Sequence, residues 1–168
     1  MDSNGLQPNS RNCFVCGIKN PYGLRLKFYR SGPGEVAAET SLPPHFQGFP
    51  GIVHGGIVTA LLDEALGRAH MGVDPGETRF VYTARIEVRF RRTVPIGEPI
   101  HLHGRVEKER SGSILASASI TNPSGEILAE AEGLLVDVPA DMVSGFNLQQ
   151  VGWKVYEDGG TNRGGLDL

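Results

Sequence analysis

The residues best suited to chemistry lie in one stretch. Gly51-Ile52-Val53-His54-Gly55-Gly56 leads without interruption into Ile57-Val58-Thr59-Ala60-Leu61-Leu62-Asp63-Glu64-Ala65-Leu66-Gly67. The glycines leave backbone N–H groups uncovered where a helix begins, and the partial positive charge of that end favours an oxyanion. Asp63 follows a little over two turns later, among Thr59, Ala60, Leu62, Leu66 and Gly67, which is sparse polar company for a charge. An oxyanion-stabilising turn with a sheltered carboxylate is the equipment of acyl transfer to water, as in hydrolysis of an ester or thioester. His54 adds an imidazole at the turn. Glu64 adds a rival carboxylate about 100° further round the helix.

These groups need elements to hold them. Apolar Ile57, Val58, Leu61, Leu62, Ala65 and Ala69 recur at helical spacing, which predicts a helix from about Gly55 to His70. The neighbouring strip, Gly56, Thr59, Ala60, Asp63, Gly67 and His70, is almost all small. Small residues admit a close second backbone, so a further element, from this chain or another copy, is expected to enclose Asp63. Alternation predicts a strand over Gly23–Arg30 and a hairpin return over Glu35–Thr40, with a proline-rich loop, Leu42–Pro50, delivering the chain to the turn. Thr78–Arg92 reads as the clearest strand, with Ala84, Ile86, Val88 and Phe90 on one face and Thr83, Arg85, Glu87, Arg89 and Arg91 on the other. Ile100–Val106, Ser113–Thr121 and Glu126–Val138 follow, the last two joined by the turn Asn122-Pro123-Ser124-Gly125. Two strands, a long helix and four strands imply an α+β layout, one antiparallel sheet wrapped around one central helix. Residues 1–12 are polar and expected to be loose; Leu148–Tyr156, with Trp153, is expected to dock; the glycine-rich Glu157–Leu168 is expected to be disordered. The organisation expected is an N-terminal segment over 1–19, one domain over 20–138 and a C-terminal extension over 139–168.

Size and charge narrow the classes. The 168 residues suffice for one real core, and a net charge of −3 does not invite nucleic acid. No run of 18 apolar residues suggests a membrane span, and the polar start lacks the pattern of a secretory leader, so a cytoplasmic protein is expected. With 23 glycines and 11 prolines, tight turns between short strands are favoured over a helix bundle. Cys13 and Cys16 form a Cys-x-x-Cys before Gly17. A redox pair normally opens a helix, against which Pro21 and Gly23 stand. A zinc site needs four ligands and one pair supplies two; a second pair from another subunit, or His and Asp, would complete it. A compact turn packed by two reduced thiols needs nothing more, and no metal is assigned. His101 and His103 share a strand face, but lack an acidic or thiol partner at motif spacing.

Val53-His54-Gly55-Gly56, Leu62-Asp63-Glu64-Ala65 and Thr83-Ala84-Arg85-Ile86-Glu87-Val88-Arg89-Phe90-Arg91-Arg92 together resemble the hotdog-fold thioesterases, in the branch of the phenylacetic-acid-pathway enzymes and the mammalian thioesterase-superfamily members. Cys13-Phe14-Val15-Cys16-Gly17 and Asn20-Pro21-Tyr22-Gly23-Leu24 resemble a segment of bacterial members, and the likeness spans residues 13–138. It implies a hotdog fold, hydrolysis of an acyl-CoA without a cofactor, and a homodimer or homotetramer with its sites at the dimer interface. By position in the motif, Gly55 would donate the N–H that polarises the thioester carbonyl, with Gly56 assisting or only permitting the turn. Asp63 would act as general base or as nucleophile. His54 would shape the turn or touch the substrate near its carbonyl, and Thr83 would position the water or the carboxylate. Arg85, Arg89, Arg91 and Arg92 could meet the phosphates of coenzyme A, or form a solvated outer face. A non-catalytic acyl-CoA sensor and an enoyl-CoA hydratase are the competing readings.

Overall fold

The computed structural model describes residues 5–145 and 147–157. Six strands and one long helix follow in the order β1 (Tyr29–Gly32), β2 (Glu35–Ser41), α1 (Gly55–Arg68), β3 (Val81–Phe90), β4 (Pro99–Arg110), β5 (Ser113–Thr121) and β6 (Ile127–Asp137), with short helices α2 (Ala140–Ser144) and α3 (Leu148–Val151) after them. The strands form one antiparallel sheet in the order β1-β2-β4-β5-β6-β3. The α+β expectation of a helix wrapped by a sheet is therefore met, and β3 lies at a sheet edge.

The wrapping depends on small residues at the sheet centre. A Cβ at Gly104 in β4 would stand 2.3 Å from the Ala65 carbonyl oxygen, and one at Gly133 in β6 would stand 2.7 Å from Leu66 Cδ1. Ala116, Ala118, Ala129 and Ala131 continue this shallow floor, and all four are buried. The helix can thus seat Val58, Leu61, Leu62, Ala65 and Leu66 between the sheet's larger apolar residues, such as Ile100, Leu102 and Leu135. The β5–β6 turn closes as its sequence suggests: Asn122 Oδ1 accepts from the N–H groups of Ser124 and Glu126, and Gly125 takes φ +84°.

Two expectations about the N-terminal third need correction. Residues 6–9 are buried, while Arg11 and Asn12 are exposed. The Gln7 side-chain amide donates to the carbonyls of Arg68 and Met71 at the end of α1, and that of Asn9 donates to those of Cys16 and Leu26. Polar side chains here supply donors to carbonyls that the main chain leaves open. The segment Gly23–Arg30 does bury Leu24, Leu26 and Phe28, but regular strand begins only at Tyr29. Arg25, at φ +52°, breaks the extended run, and Leu24 and Leu26 donate to the carbonyls of Phe14 and Val15 instead of a strand neighbour. Trp153 docks on the body, its ring 5.7 Å from that of Phe80 and its Nε1–H donating to Thr78 Oγ1 at 3.1 Å. The expected disorder after Glu157 lies outside the described residues.

Candidate active site

The turn before α1 is built by its own residues. His54 is the N-cap, and its Nδ1 accepts the Gly56 N–H at 2.9 Å. The ring proton of neutral His54 therefore sits on Nε2. Gly56 has its N–H engaged in the cap. Among the described residues the Gly55 N–H has no acceptor, so it is an uncommitted amide at this helix end. A Cβ on Gly55 would meet the Phe90 ring at 3.6 Å, ordinary contact, so the turn lies beside the far end of β3.

Asp63 lies on the half-exposed strip of α1, over the near end of β3. Thr83 Oγ1 donates to Asp63 Oδ1 at 2.6 Å. The sequence pattern put Thr83 on the face away from Ile86 and Val88, and the structure reverses this. The β3–β6 register slips between Thr83 and Arg85, pairing Thr83 with Leu135 and Arg85 with Leu134, so Ala84 is an extra residue. The bulge returns Thr83 to the helix side, together with Ile86 and Val88. Asp63, Gly67, Met71, Val81, Tyr82 and Thr83 line an open cavity of about 410 Å³ along this sheet edge. A Cβ at Gly67 would meet nothing within 4 Å, so the small-residue strip faces space in the single chain.

Glu64, which with Arg68 also lines this cavity, has both oxygens engaged. Its Oε1 receives Arg68 Nε at 2.8 Å, and its Oε2 receives the Cys13 thiol at 3.6 Å. Arg68 is 1% exposed, with its Nη1 donating to the Pro8 carbonyl and its guanidinium 4.9 Å from the Phe28 ring centre. Burial works against that charge, but Glu64 and Cys16 outweigh it and hold the Arg68 pKa above its ordinary value. The Cys16 thiol, hydrogen-bonded to Cys13, keeps Cys13 below the usual thiol range, while that bond and burial push Cys16 well above it. The buried Arg68 was absent from the sequence reading; its only signal was Glu64 four residues before it.

The arginine strip stands apart from Asp63. Arg85 and Arg89 lie on the outer face of β3, and Arg91 follows just beyond it. Arg89 pairs with Glu87 at 2.9 Å, Arg91 with Glu130 at 2.5 Å, and Arg92 with Glu126. This outer face carries its own hollow of about 280 Å³, lined by such ion pairs, with the sheet between it and Asp63.

The thioesterase superfamily model matches residues 50–129, which hold the turn, Asp63, Thr83 and the strands from β3 to β5. A solved thioesterase superfamily protein is 30% identical, superposes with a TM-score of 0.67, and is covered over 61% of its length by 76% of this chain. The chain has the hotdog fold, and its residues 50–129 are similar to the thioesterase superfamily. Acyl-coenzyme A thioesterase THEM4 of Bos taurus is 28% identical over 102 residues, 60% of this chain and 40% of that protein. The chain thus spans less than half of that relative. The smu.793 protein of Streptococcus mutans, solved bound to acetyl-CoA, shares the fold at 17% identity and a TM-score of 0.59, over 67% of this chain and 88% of that one. Among the described residues no helix is long and apolar enough to cross a membrane.

Proposed function

We propose that the protein hydrolyses an acyl-CoA thioester at a site shared between two copies of the chain. The observation that carries this reading is the pairing of a held carboxylate, Asp63, with an uncommitted helix-end amide, Gly55, in a chain similar to this superfamily. The two lie eight residues apart on one helix, roughly 12 Å at the rise of an α-helix. One carbonyl cannot sit within about 3 Å of both. A two-fold partner with its helix antiparallel would bring Gly55 of one copy to Asp63 of the other. Two further features favour that partner. β3 is an edge strand of ten residues whose Tyr82 and Phe90 are about half exposed. The strip beside Asp63 has open space at Gly67.

Thr83 holds Asp63 Oδ1, which leaves the second oxygen for a water molecule. Water adds to the thioester carbon and gives its proton to Asp63. The oxyanion rests on the Gly55 N–H. Collapse expels the coenzyme A thiolate, which takes the proton back, and the free acid leaves. His54 acts by fixing the turn through Gly56, with Nε2–H available to the substrate. Arg85, Arg89 and Arg91 are the candidates for the nucleotide phosphates, because a ligand leaving the cavity at the β3 edge can turn onto the outer face.

THEM4 is named an acyl-coenzyme A thioesterase, and the Streptococcus mutans protein was solved with acetyl-CoA, which supports the substrate class. The test is complementation. Gly55→Pro deletes one N–H at a position where proline suits a helix, and His54 already has the extended ψ of 134° that a residue before proline requires. It should lower kcat on acyl-CoA by about 10²–10³-fold. Asp63→Asn should lower it by at least about 10²-fold. Dissociated, mixed and reassembled, the two dead variants should recover roughly a quarter of the sites. No recovery would place the site within one chain. Tight acyl-CoA binding by the wild type without release of coenzyme A would favour the sensor.

A further inference from the structure

We propose that Cys13, Cys16 and Glu64 form a zinc site that clips the N-terminal segment to α1. The pair of thiols at Cys-x-x-Cys spacing is two ligands short, and the fold supplies a third from 51 residues away. The two sulfurs and one Glu64 carboxylate oxygen lie within 4.8 Å of one another. Cys13 Sγ and Glu64 Oε2 are 3.6 Å apart. For tetrahedral zinc, with sulfur at about 2.3 Å and carboxylate oxygen at about 2.1 Å, that edge is about 3.6 Å.

The turn is shaped to present both sulfurs. Gly17 N–H returns to the Cys13 carbonyl at 2.9 Å, and a Cβ at Gly17 would stand 2.2 Å from that oxygen, so only glycine fits. Cys16 N–H points at Cys13 Sγ at 3.4 Å, a contact that a thiolate accepts better than a thiol. Outer partners are also in place. Arg68 binds Glu64 Oε1 and leaves Oε2 toward the thiols, and Ser10 Oγ lies 3.9 Å from Cys16 Sγ. The charges balance: two thiolates and one carboxylate bring −3, against +2 from zinc and +1 from buried Arg68. Binding Zn²⁺ expels two thiol protons and changes no oxidation state. Cys13 is half-buried, and a water molecule would complete the four ligands. The site goes beyond the catalytic reading, and no step of hydrolysis passes through it.

The experiment titrates the reduced, chelator-stripped full chain with Zn²⁺ and, separately, with Co²⁺. The expected result is one metal per chain, two protons released per zinc, and a thiolate-to-cobalt charge-transfer band. Free zinc one hundred times above its Kd should raise Tm by about 5–10 °C. Cys16→Ser should abolish the band. Glu64→Gln should keep a two-sulfur band but bind zinc at least about tenfold more weakly. No zinc uptake at micromolar free zinc overturns the proposal. So does half a metal per chain with a four-sulfur band, which would mean two Cys-x-x-Cys turns meeting between copies. Unchanged zinc affinity in Glu64→Gln removes Glu64 from the site. If that variant does not fold, the stoichiometry and proton count of the wild type still decide.

Discussion

Asp63 and Glu64 follow each other on one helix and end in opposite circumstances. Glu64 turns toward the N-terminal segment, where one oxygen is bound by Arg68 and the other by Cys13. Asp63 turns toward the edge strand, where one oxygen takes the Thr83 hydroxyl and the other has no partner among the described residues; Asp63 and Glu64 both line the open cavity. A carboxylate with both oxygens committed is a structural anchor. A carboxylate with one oxygen held and one free is oriented and still able to take a proton. The residue types alone would not separate them; what separates them is which neighbour each meets after a rotation of about 100°.

The sharpest way to break this contrast is to neutralise each in turn. Asp63→Asn should cost at least about 10²-fold in kcat with little change in Tm. Glu64→Gln should change kcat by less than about tenfold, yet destabilise the fold by about 1–3 kcal/mol, because buried Arg68 loses its counter-charge but keeps a neutral acceptor. Kinetics on acyl-CoA beside thermal melts of both variants decide it. If Glu64→Gln is the dead enzyme and Asp63→Asn the unstable one, the roles are reversed.

Two weaker perturbations sharpen the Asp63 side. Thr83→Val removes the hydroxyl donor to Asp63 and keeps the shape, so kcat should fall about tenfold, with KM nearly unchanged, as expected for one hydrogen bond to a charged group. Gly67→Leu adds bulk where the single chain has room, so it should leave the monomer fold intact while weakening assembly and activity together. Light scattering beside the activity assay checks this. An active variant with unchanged mass would mean that no second copy packs on the strip.

Much of this was legible in the chain because period is legible. The helix, the five strands from β2 to β6 and the Asn122–Gly125 turn follow from alternation and turn chemistry. The glycine turn at the start of α1 and the place of Asp63 on that helix follow from glycines and a carboxylate at helical spacing. Thr83 was placed on the wrong face because alternation assumes an unbroken ladder, and the bulge at Ala84 is set by pairing with β6. The N-terminal residues read as loose because Gln7 and Asn9 are polar, whereas their partners are carbonyls of distant segments. Cys13 and Glu64 meet only through the tertiary fold, so no spacing rule links them. The edge position of β3 is likewise a matter of strand order, on which hydrophobic period is silent.

The smallest effect expected also lies on the Asp63 strip, at His70. The Glu64 side buries a charge, Arg68, and keeps it charged by pairing. The Asp63 strip ends in His70, which is half-buried and for which the neutral form is favoured. Its Nε2–H donates to the Arg79 carbonyl at 2.8 Å, and Nδ1 has no partner among the described residues, so a second proton there would find no acceptor among them. Burial first, with the Arg79 charge adding, outweighs the bond to the Arg79 carbonyl and the charges of Glu109 and Asp137, and holds its pKa below the ordinary 6.5. The unfolded chain therefore binds this proton more readily than the folded one. Stability attributable to His70 is unaffected above about pH 6.5, falls as pH drops below that value, and stops falling once the folded imidazole is itself protonated. His70→Gln keeps a donor for the Arg79 carbonyl and cannot titrate. Melts from about pH 8 to about pH 5 should show the wild type losing more Tm than His70→Gln, with the two curves parallel above neutrality. Curves parallel throughout would mean that His70 can take its proton without cost, and that the end of the Asp63 strip is as open to water as its middle.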